Sequence, residues 1–194
     1  MNGNNNDELD SSNQSQFLEP PDAFGIVTQS ILRCGAISPT HFNFLSLHDF
    51  KTVLLINEDK PIQRIIDYLK SRDTKYKRIG IYSQRSSLQW RTQLDELVKL
   101  SLEYILNHDN QPMLISSSST LHLCTIIGCL RKIQGWDLCS IMEEFRRFTP
   151  EQPFSLHKNY IEMFDFDLVN IPENAINDVC IYNNANNSDA TEAH

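Results

Sequence analysis

Residues 113–131 read MLISSSSTLHLCTIIGCLR, which is the layout of a strand, a short polar loop and a helix. The apolar residues 113–115 predict the end of a buried strand. Five hydroxyl residues follow at 116–120, and the apolar run 121–130 then predicts a helix. Loop amides and the first helical N–H groups converge at such a turn, and the helix dipole adds partial positive charge. The sequence therefore predicts a turn with the layout of a phosphate site, although the loop carries no cation of its own.

Short strands and helices alternate along the rest of the chain. Strands are predicted at 24–27, 30–33, 51–56 and 76–82, and helices at 38–48, 62–69, 88–107, 137–148 and 156–164. This alternation predicts an α/β fold with a mostly parallel central sheet flanked by helices. Ligands of such sheets bind beyond the carboxyl ends of the strands, which is where the hydroxyl loop is expected to lie.

The chain has 194 residues, which is long enough for one domain with a proper core. We predict a disordered polar tail over 1–18, one domain over 19–168 and an acidic, Asn-rich tail over 169–194. The net charge of −8 is unevenly placed, because residues 25–161 hold all 17 Lys and Arg and 13 of the 25 acids. Acidic ends of this kind are most simply explained as solvated tails.

Composition excludes several classes of protein. Five cysteines without paired spacing predict reduced thiols and a cytoplasmic location. The sequence has no C-x2-C pair and no Cys/His quartet, so we expect no metal and no cofactor. The first residues have neither a basic region nor an apolar run, and no stretch approaches the roughly 18 apolar residues of a membrane span. Neither a nucleic acid nor a membrane is therefore an expected partner.

The segment IIGCLRKIQGWDLCSIMEEFRRF at 126–148, with NQPMLI at 110–115 and NYIEMFD at 159–165, resembles the plant-and-fungal atypical dual-specificity phosphatases. These proteins belong to the tyrosine-phosphatase-like, cysteine-dependent phosphatases, and several of them hydrolyse inositol pyrophosphates. The resemblance covers about 20–165 and implies the dual-specificity phosphatase fold. The chain is most similar to the fungal branch, whose paralogues are linked to oxidant-induced cell-cycle arrest.

Members of that family carry H-C-x5-R-T-G at the loop, where the cysteine is the nucleophile and the arginine clamps the phosphoryl oxygens. Aligned backwards from Gly128, His122 occupies the arginine position, and Ser116 or Ser117 occupies the cysteine position. Counted from Ser117, the loop is one residue shorter than the family's. The degenerate phosphate loop then comprises Ser116, Ser117, Ser118, Ser119, Thr120, Leu121 and His122.

Each departure from the motif removes a part of the family's chemistry. A serine hydroxyl is far more basic than a thiol, whose pKa is about 8.5, and needs an adjacent general base. Lys99 is the only Lys or Arg between Arg91 and Arg131, and a histidine at 122 is mostly neutral at pH 7. No Asp or Glu lies between Asp73 and Asp95, where many relatives supply an acid. We therefore expect a pseudophosphatase without catalytic residues, and not an enzyme.

The leading functional expectation is a regulatory or scaffolding subunit that forms hetero-oligomers with active paralogous phosphatase-like proteins in inositol-pyrophosphate or in stress and cell-cycle signalling. The alternatives are a non-hydrolysing sensor of inositol pyrophosphate or another polyanion, and a phosphatase of altered mechanism. Arg131, Lys132 and Arg146 are the candidate anion contacts, and Cys124 is expected to point into the core. For the loop serines, three uses stay open: a plain connector, an anion site built from amides, or a phosphorylation site.

Overall fold

The computed structural model describes residues 18–56, 62–80, 90–151 and 156–178. Its sheet consists of the strands β1 (Gly25–Thr28), β2 (Ile31–Cys34), β3 (Thr52–Ile56), β4 (Lys75–Ile79) and β5 (Met113–Ser117). The strands lie in the order β1-β2-β5-β3-β4. Only β1 pairs antiparallel, with β2, and the other three pairings are parallel. The predicted α/β fold with a mostly parallel sheet is confirmed.

Six α-helices accompany this sheet in the described ranges: α1 (Phe42–Leu45), α2 (Gln63–Ser71), α3 (Trp90–Leu106), α4 (Thr120–Ile133), α5 (Leu138–Phe148) and α6 (Leu156–Glu162). Short 3-10 turns occupy Pro39–His41, His108–Asn110, Phe166–Leu168 and Glu173–Asp178. None of the described helices is both long and apolar enough to cross a membrane.

Elements near residues 38–48 and 75–82 differ from the sequence prediction. The helix predicted at 38–48 is a 3-10 turn followed by the four-residue α1, because the backbone N–H of Ser38 donates to Nδ1 of His41 and tightens this turn. The strand predicted at 76–82 begins one residue earlier and is described as far as Ile79, and residues 81–82 lie outside the described ranges.

The sheet separates two hydrophobic layers. Leu54 and Ile56 of β3 face a large core shared with α3, α4, α5 and α6, whereas Val53 and Leu55 face a smaller core shared with α1 and α2. Because both faces of β3 are covered, the strand has a continuous apolar sequence, which is typical of a parallel sheet.

Helix α4 lies at the centre of the larger layer. Its residues from Leu123 to Leu130 are all buried. A Cβ atom added to Gly128 would lie only 2.6 Å from Cδ1 of Ile161, so a glycine is what allows α4 and α6 to approach so closely. The apolar run after the hydroxyl residues is therefore the scaffold that places the turn preceding it.

Candidate functional site

The turn between β5 and α4 is built by its own hydroxyl groups. Ser119 is the N-cap of α4, and its Oγ accepts a hydrogen bond from the backbone N–H of His122 at 3.3 Å. The Oγ of Ser117 donates to the carbonyl of Ser119 at 3.0 Å and accepts from the N–H of Ser119 at 3.1 Å. The turn therefore directs the amino terminus of α4 to the carboxyl edge of the sheet, where an anion would find partial positive charge.

Ser116 and Ser117 belong to the strand rather than to the loop. Strand β5 continues through both residues, because Ser116 pairs in register with Cys34 and Ser117 with Ile56. Both side chains are buried, and the Oγ of Ser116 donates to the carbonyl of Gly35 at 2.9 Å. The loop predicted over 116–120 is thus two residues long in the structure, and Ser118 is its exposed member.

The structure places a second histidine beside His122. The rings of His122 and His157 have centroids 5.4 Å apart, and the ring of Trp90 lies 6.5 Å from that of His157. Nδ1 of His157 is 2.9 Å from Oγ1 of Thr125. His157 comes from α6, and no spacing or motif in the sequence connects it with the turn. Sequence reasoning therefore missed this neighbour.

Both imidazoles are neutral at pH 7. Burial, and to a smaller extent the charge of His157, lowers the pKa of His122 from 6.5 to about 4. Burial also lowers the pKa of His157. A neutral imidazole is able to accept a proton but does not neutralise a phosphate. The helix backbone is accordingly the source of positive potential that the turn itself provides.

A thiol and a guanidinium meet in the interior behind the turn. Nη2 of Arg33 on β2 donates to Sγ of Cys124 on α4 at 3.0 Å, and the guanidinium lies 3.8 Å from the ring centroid of Phe148. Arg33 and Cys124 are 1% and 2% exposed. Burial raises the pKa of Cys124, although the charge of Arg33 opposes that shift. Cys124 points into the core as expected, whereas no pattern in the sequence indicates its partner.

The first candidate anion contact, Arg131, lies far from the turn. It is eleven residues after Thr120 on the same helix, so about 16 Å of helix separates them. Nε of Arg131 donates to Oε2 of Glu144 at 2.9 Å, and the guanidinium lies 4.1 Å from the ring centroid of Trp136. Arg131 therefore joins α4 to α5, and the structure does not bring it to the loop.

The other two candidate contacts also have structural partners. Nζ of Lys132 donates to the carbonyls of Ile161 and Phe164 at 3.3 and 3.0 Å, which holds the end of α6. Arg146 forms an exposed ion pair with Glu143 on the same helix. Arg131 and Lys132 thus support the packing of α4, α5 and α6, and Arg146 pairs within α5. The loop residues from Ser117 to His122 do lie together.

Comparison with known proteins gives a consistent set of relatives. The chain is 34% identical over 151 residues to "Probable tyrosine-protein phosphatase DG1060" of Dictyostelium discoideum, an alignment that covers 77% of this chain and 90% of that protein. It is 32% identical over 152 residues to the inositol diphosphatase SIW14 of Saccharomyces cerevisiae, and this alignment covers 76% of this chain and 53% of that protein. A similar solved structure is the crystal structure of the core catalytic domain of the PP-IP phosphatase SIW14 from S. cerevisiae in complex with citrate. Its TM-score with this chain is 0.68 at 29% sequence identity, and the match covers 78% of this chain and 90% of that chain.

These relatives overturn the expectation that the chain is a pseudophosphatase and not an enzyme. That expectation rested on the missing H-C-x5-R motif, yet sequences this similar are named phosphatases, and the solved relative is a phosphatase catalytic core. The structure also brings a cysteine and an arginine together, which the motif comparison did not reveal. The altered motif therefore does not by itself exclude an enzyme.

The extent of the family match agrees with the described fold. The sequence profile of the tyrosine phosphatase family matches residues 18–183, which includes every described strand and helix. The likeness to the SIW14 catalytic core extends over more than three quarters of the chain. This chain belongs to the tyrosine phosphatase family.

Proposed function

We propose that the chain is a phosphatase for polyphosphorylated small molecules of the inositol-pyrophosphate class, acting by a route other than thiolate attack. The observation that carries the proposal is the turn from β5 into α4, whose amino terminus meets the carboxyl edge of a phosphatase-type sheet. The likeness to a yeast inositol diphosphatase supports the substrate class. The citrate bound in the solved relative supports a polyanion as the ligand, because citrate carries three carboxylates.

A route through Cys124 is disfavoured by the position of this residue. A thiol attacks phosphorus as its thiolate, so it must be both exposed and easily deprotonated. Cys124 is 2% exposed in the second turn of α4, and burial raises its pKa. Its Sγ is directed to Arg33 in the core rather than to the turn. We therefore place the reaction at the turn itself.

The proposed reaction is the hydrolysis of a terminal phosphoanhydride. The phosphate is held by the first N–H groups of α4 and by the exposed Ser118. A water oxygen attacks the terminal phosphorus, the bond from that phosphorus to the bridging oxygen breaks, and His122 accepts the proton of the water. The products are inorganic phosphate and the shortened ligand, whose bridging oxygen remains as a phosphate oxygen. Its pKa of about 4 keeps the imidazole at position 122 neutral at pH 7, so it is able to accept this proton, but as a weak base.

The test is phosphate release from a synthetic inositol pyrophosphate by the purified chain. We expect turnover that decreases at least tenfold in His122→Gln, since the variant cannot accept the proton. His108→Gln is the matched control, because His108 lies in the 3-10 turn before β5, at the opposite edge of the sheet. Absence of phosphate release by the unmodified chain at micromolar concentration would reject the proposal.

A second variant separates the two chemical routes. Cys124→Ser conserves the size of the side chain and removes the thiol. The proposed route predicts that this variant releases phosphate within about threefold of the unmodified rate. Complete loss of turnover in a variant whose circular dichroism spectrum is unchanged would instead assign the reaction to the thiol.

A second function, association with a paralogous phosphatase-like protein, is favoured by one surface. Ile26 on the edge strand β1 is 72% exposed and Trp136 is 45% exposed, and both line a cleft of about 850 Å³ beside α5. Exposed apolar side chains of this size are typical of protein interfaces. Co-purification of a paralogue that is lost in Ile26→Asp but kept in Ser38→Asp would support this function, and equal recovery with both variants would contradict it.

A further inference from the structure

The hydroxyl group of Thr125 connects α4 to the histidine of α6. Thr125 is buried, and its Oγ1 lies 2.7 Å from the carbonyl oxygen of Leu121 and 2.9 Å from Nδ1 of His157. A hydroxyl group has a single proton, so it donates to one of these two partners and accepts from the other. The direction of the two hydrogen bonds therefore determines which nitrogen of His157 carries its proton.

The carbonyl of Leu121 fixes that direction. A carbonyl oxygen has no proton to give, so the proton between the two oxygens belongs to Thr125. Threonine in a helix commonly donates in this way to the carbonyl four residues earlier. Oγ1 of Thr125 then accepts from His157, whose Nδ1 carries the proton of that contact. Because a neutral imidazole has one N–H, the lone pair of His157 is on Nε2.

The ring of His157 lies beside His122 as well as beside Thr125. Residues 122 and 125 are three apart on α4, so they share one face of the helix. The rings of the two histidines have centroids 5.4 Å apart, and both residues are half-buried. This separation lets a nitrogen of His122 reach His157 directly or through one water. Since Nδ1 of His157 donates to Thr125, a proton that comes from His122 is received at Nε2.

We propose that Nε2 of His157 receives a proton from His122 during the reaction at the turn, and that Thr125 is the positioning residue that keeps this nitrogen unprotonated. This inference rests on the hydrolysis proposed above. The attacking water gives its proton to one ring nitrogen of His122, while the oxygen bonds to the terminal phosphorus and the bond to the bridging oxygen breaks. His122 passes the proton of its other ring nitrogen to Nε2 of His157. His122 ends neutral, and His157 ends as an imidazolium that later releases one proton to solvent.

The contact with Thr125 favours the imidazolium of His157. In that form Nδ1 still donates to Oγ1 of Thr125, and the hydroxyl still donates to the carbonyl of Leu121. A hydrogen bond from a charged donor is stronger than one from a neutral donor, so this chain of acceptors stabilises the charge. His122 alone is a weak base, since burial and the charge of His157 lower its pKa to about 4. Transfer to His157 removes the proton from this unfavourable position.

The tautomer of His157 tests the inference without any measurement of turnover. Nitrogen–proton correlation spectra of the full, 15N-labelled chain at pH 7 show which ring nitrogen carries the proton. We expect the Nδ1–H form for His157. Thr125→Val conserves the shape of the buried side chain and should shift His157 towards the Nε2–H form that isolated neutral histidine favours. Asn159→Ala, at an exposed position of α6, is the matched control and should keep the Nδ1–H form.

An Nε2–H form of His157 in the unmodified chain would overturn the proposal, whatever the phosphate-release assay shows. An unchanged Nδ1–H form in a folded Thr125→Val variant would equally remove the positioning role of Thr125.

Phosphate release from the synthetic inositol pyrophosphate tests the transfer itself. His157→Asn keeps an N–H donor for Thr125 but has no basic nitrogen, so a purely structural role of His157 predicts an unchanged kcat. We expect kcat to decrease by about fivefold or more with KM within about twofold, because the proton loses its second acceptor. Asn159→Ala should keep both constants. Turnover that needs His122 but is unchanged in His157→Asn would overturn the transfer and leave the hydrolysis intact, whereas no release by the unmodified chain would reject both.

Discussion

The first turn of α4 and the rest of the same helix are stabilised by different interactions. Its first turn, with Ser119 as the cap and His122 partly exposed, uses polar groups that satisfy one another locally. From Leu123 onward the helix is buried among α3, α5, α6 and β5. The comparison teaches that the scaffold and the chemistry of this site are separable, because close packing holds the body of the helix, whereas hydrogen bonds among polar groups hold the turn before it.

The cations at the end of α4 sharpen this contrast. The sequence suggests Arg131 and Lys132 as anion contacts. In the structure, however, Arg131 binds Glu144 of α5 and Lys132 binds the carbonyl of Ile161 in α6. The charged residues of α4 therefore belong to the scaffold, and the turn depends on backbone dipoles. Four substitutions or conditions test how strictly the two regions differ.

The largest effect is expected from Ile127→Ala in the buried body of α4. Ile127 is 1% exposed, so the substitution removes buried methyl groups and leaves a cavity. We expect the free energy of unfolding to decrease by about 3 to 4 kcal/mol. Urea denaturation measures it, with the exposed Ser118→Ala as the control at less than about 0.5 kcal/mol. Equal losses in both variants would remove the distinction between the two regions.

Glu144→Ala is expected to cost about 2 to 3 kcal/mol, because it leaves the charge of Arg131 buried without its partner. The side chains of this pair are 6% and 16% exposed. Glu143→Ala is the matched control, since its pair with Arg146 has side chains 65% and 57% exposed and should contribute less than about 1 kcal/mol. Similar urea midpoints for the two variants would show that the pair of Arg131 is not structural.

Ser119→Ala is expected to lower the free energy of unfolding by about 1 kcal/mol, because the N–H of His122 loses its capping acceptor. Ser119→Asp should keep most of that stability, since a carboxylate is an equally good cap. Thermal unfolding at pH 7 compares the variants. A loss in Ser119→Asp as large as in Ser119→Ala would mean that the hydroxyl serves a purpose other than capping.

The fourth test varies the pH. The pKa of His122 is about 4 in the folded chain and about 6.5 when unfolded, so between these values the unfolded chain binds more protons. The free energy of unfolding should therefore fall as the pH decreases from 6.5 towards 4. His122→Gln should flatten this slope in urea titrations at pH 7 and pH 5, although His157 preserves part of it. Identical slopes in both proteins would contradict the shift.

Local patterns predicted most of the fold. The β-branched run of β3 predicts a strand, and the apolar periodicity of α3 and α5 predicts helices. The alternation of strands and helices along the chain predicts the mostly parallel sheet. The length of the hydroxyl loop was overestimated, because nothing local signals that strand pairing continues through Ser116 and Ser117. Their hydroxyl groups resemble loop residues, whereas the sheet on both sides of β5 decides that they are strand residues.

The sequence alone determined that a strand, a capped turn and a buried helix follow one another at 113–133, since hydrogen bonding within a turn and side-chain periodicity act over a few residues. Only the tertiary structure decided which groups share that site. His122 meets His157 across 35 residues, and Arg33 meets Cys124 across 91. Such contacts depend on how helices pack on the sheet, and packing brings together side chains whose separation along the chain carries no signal.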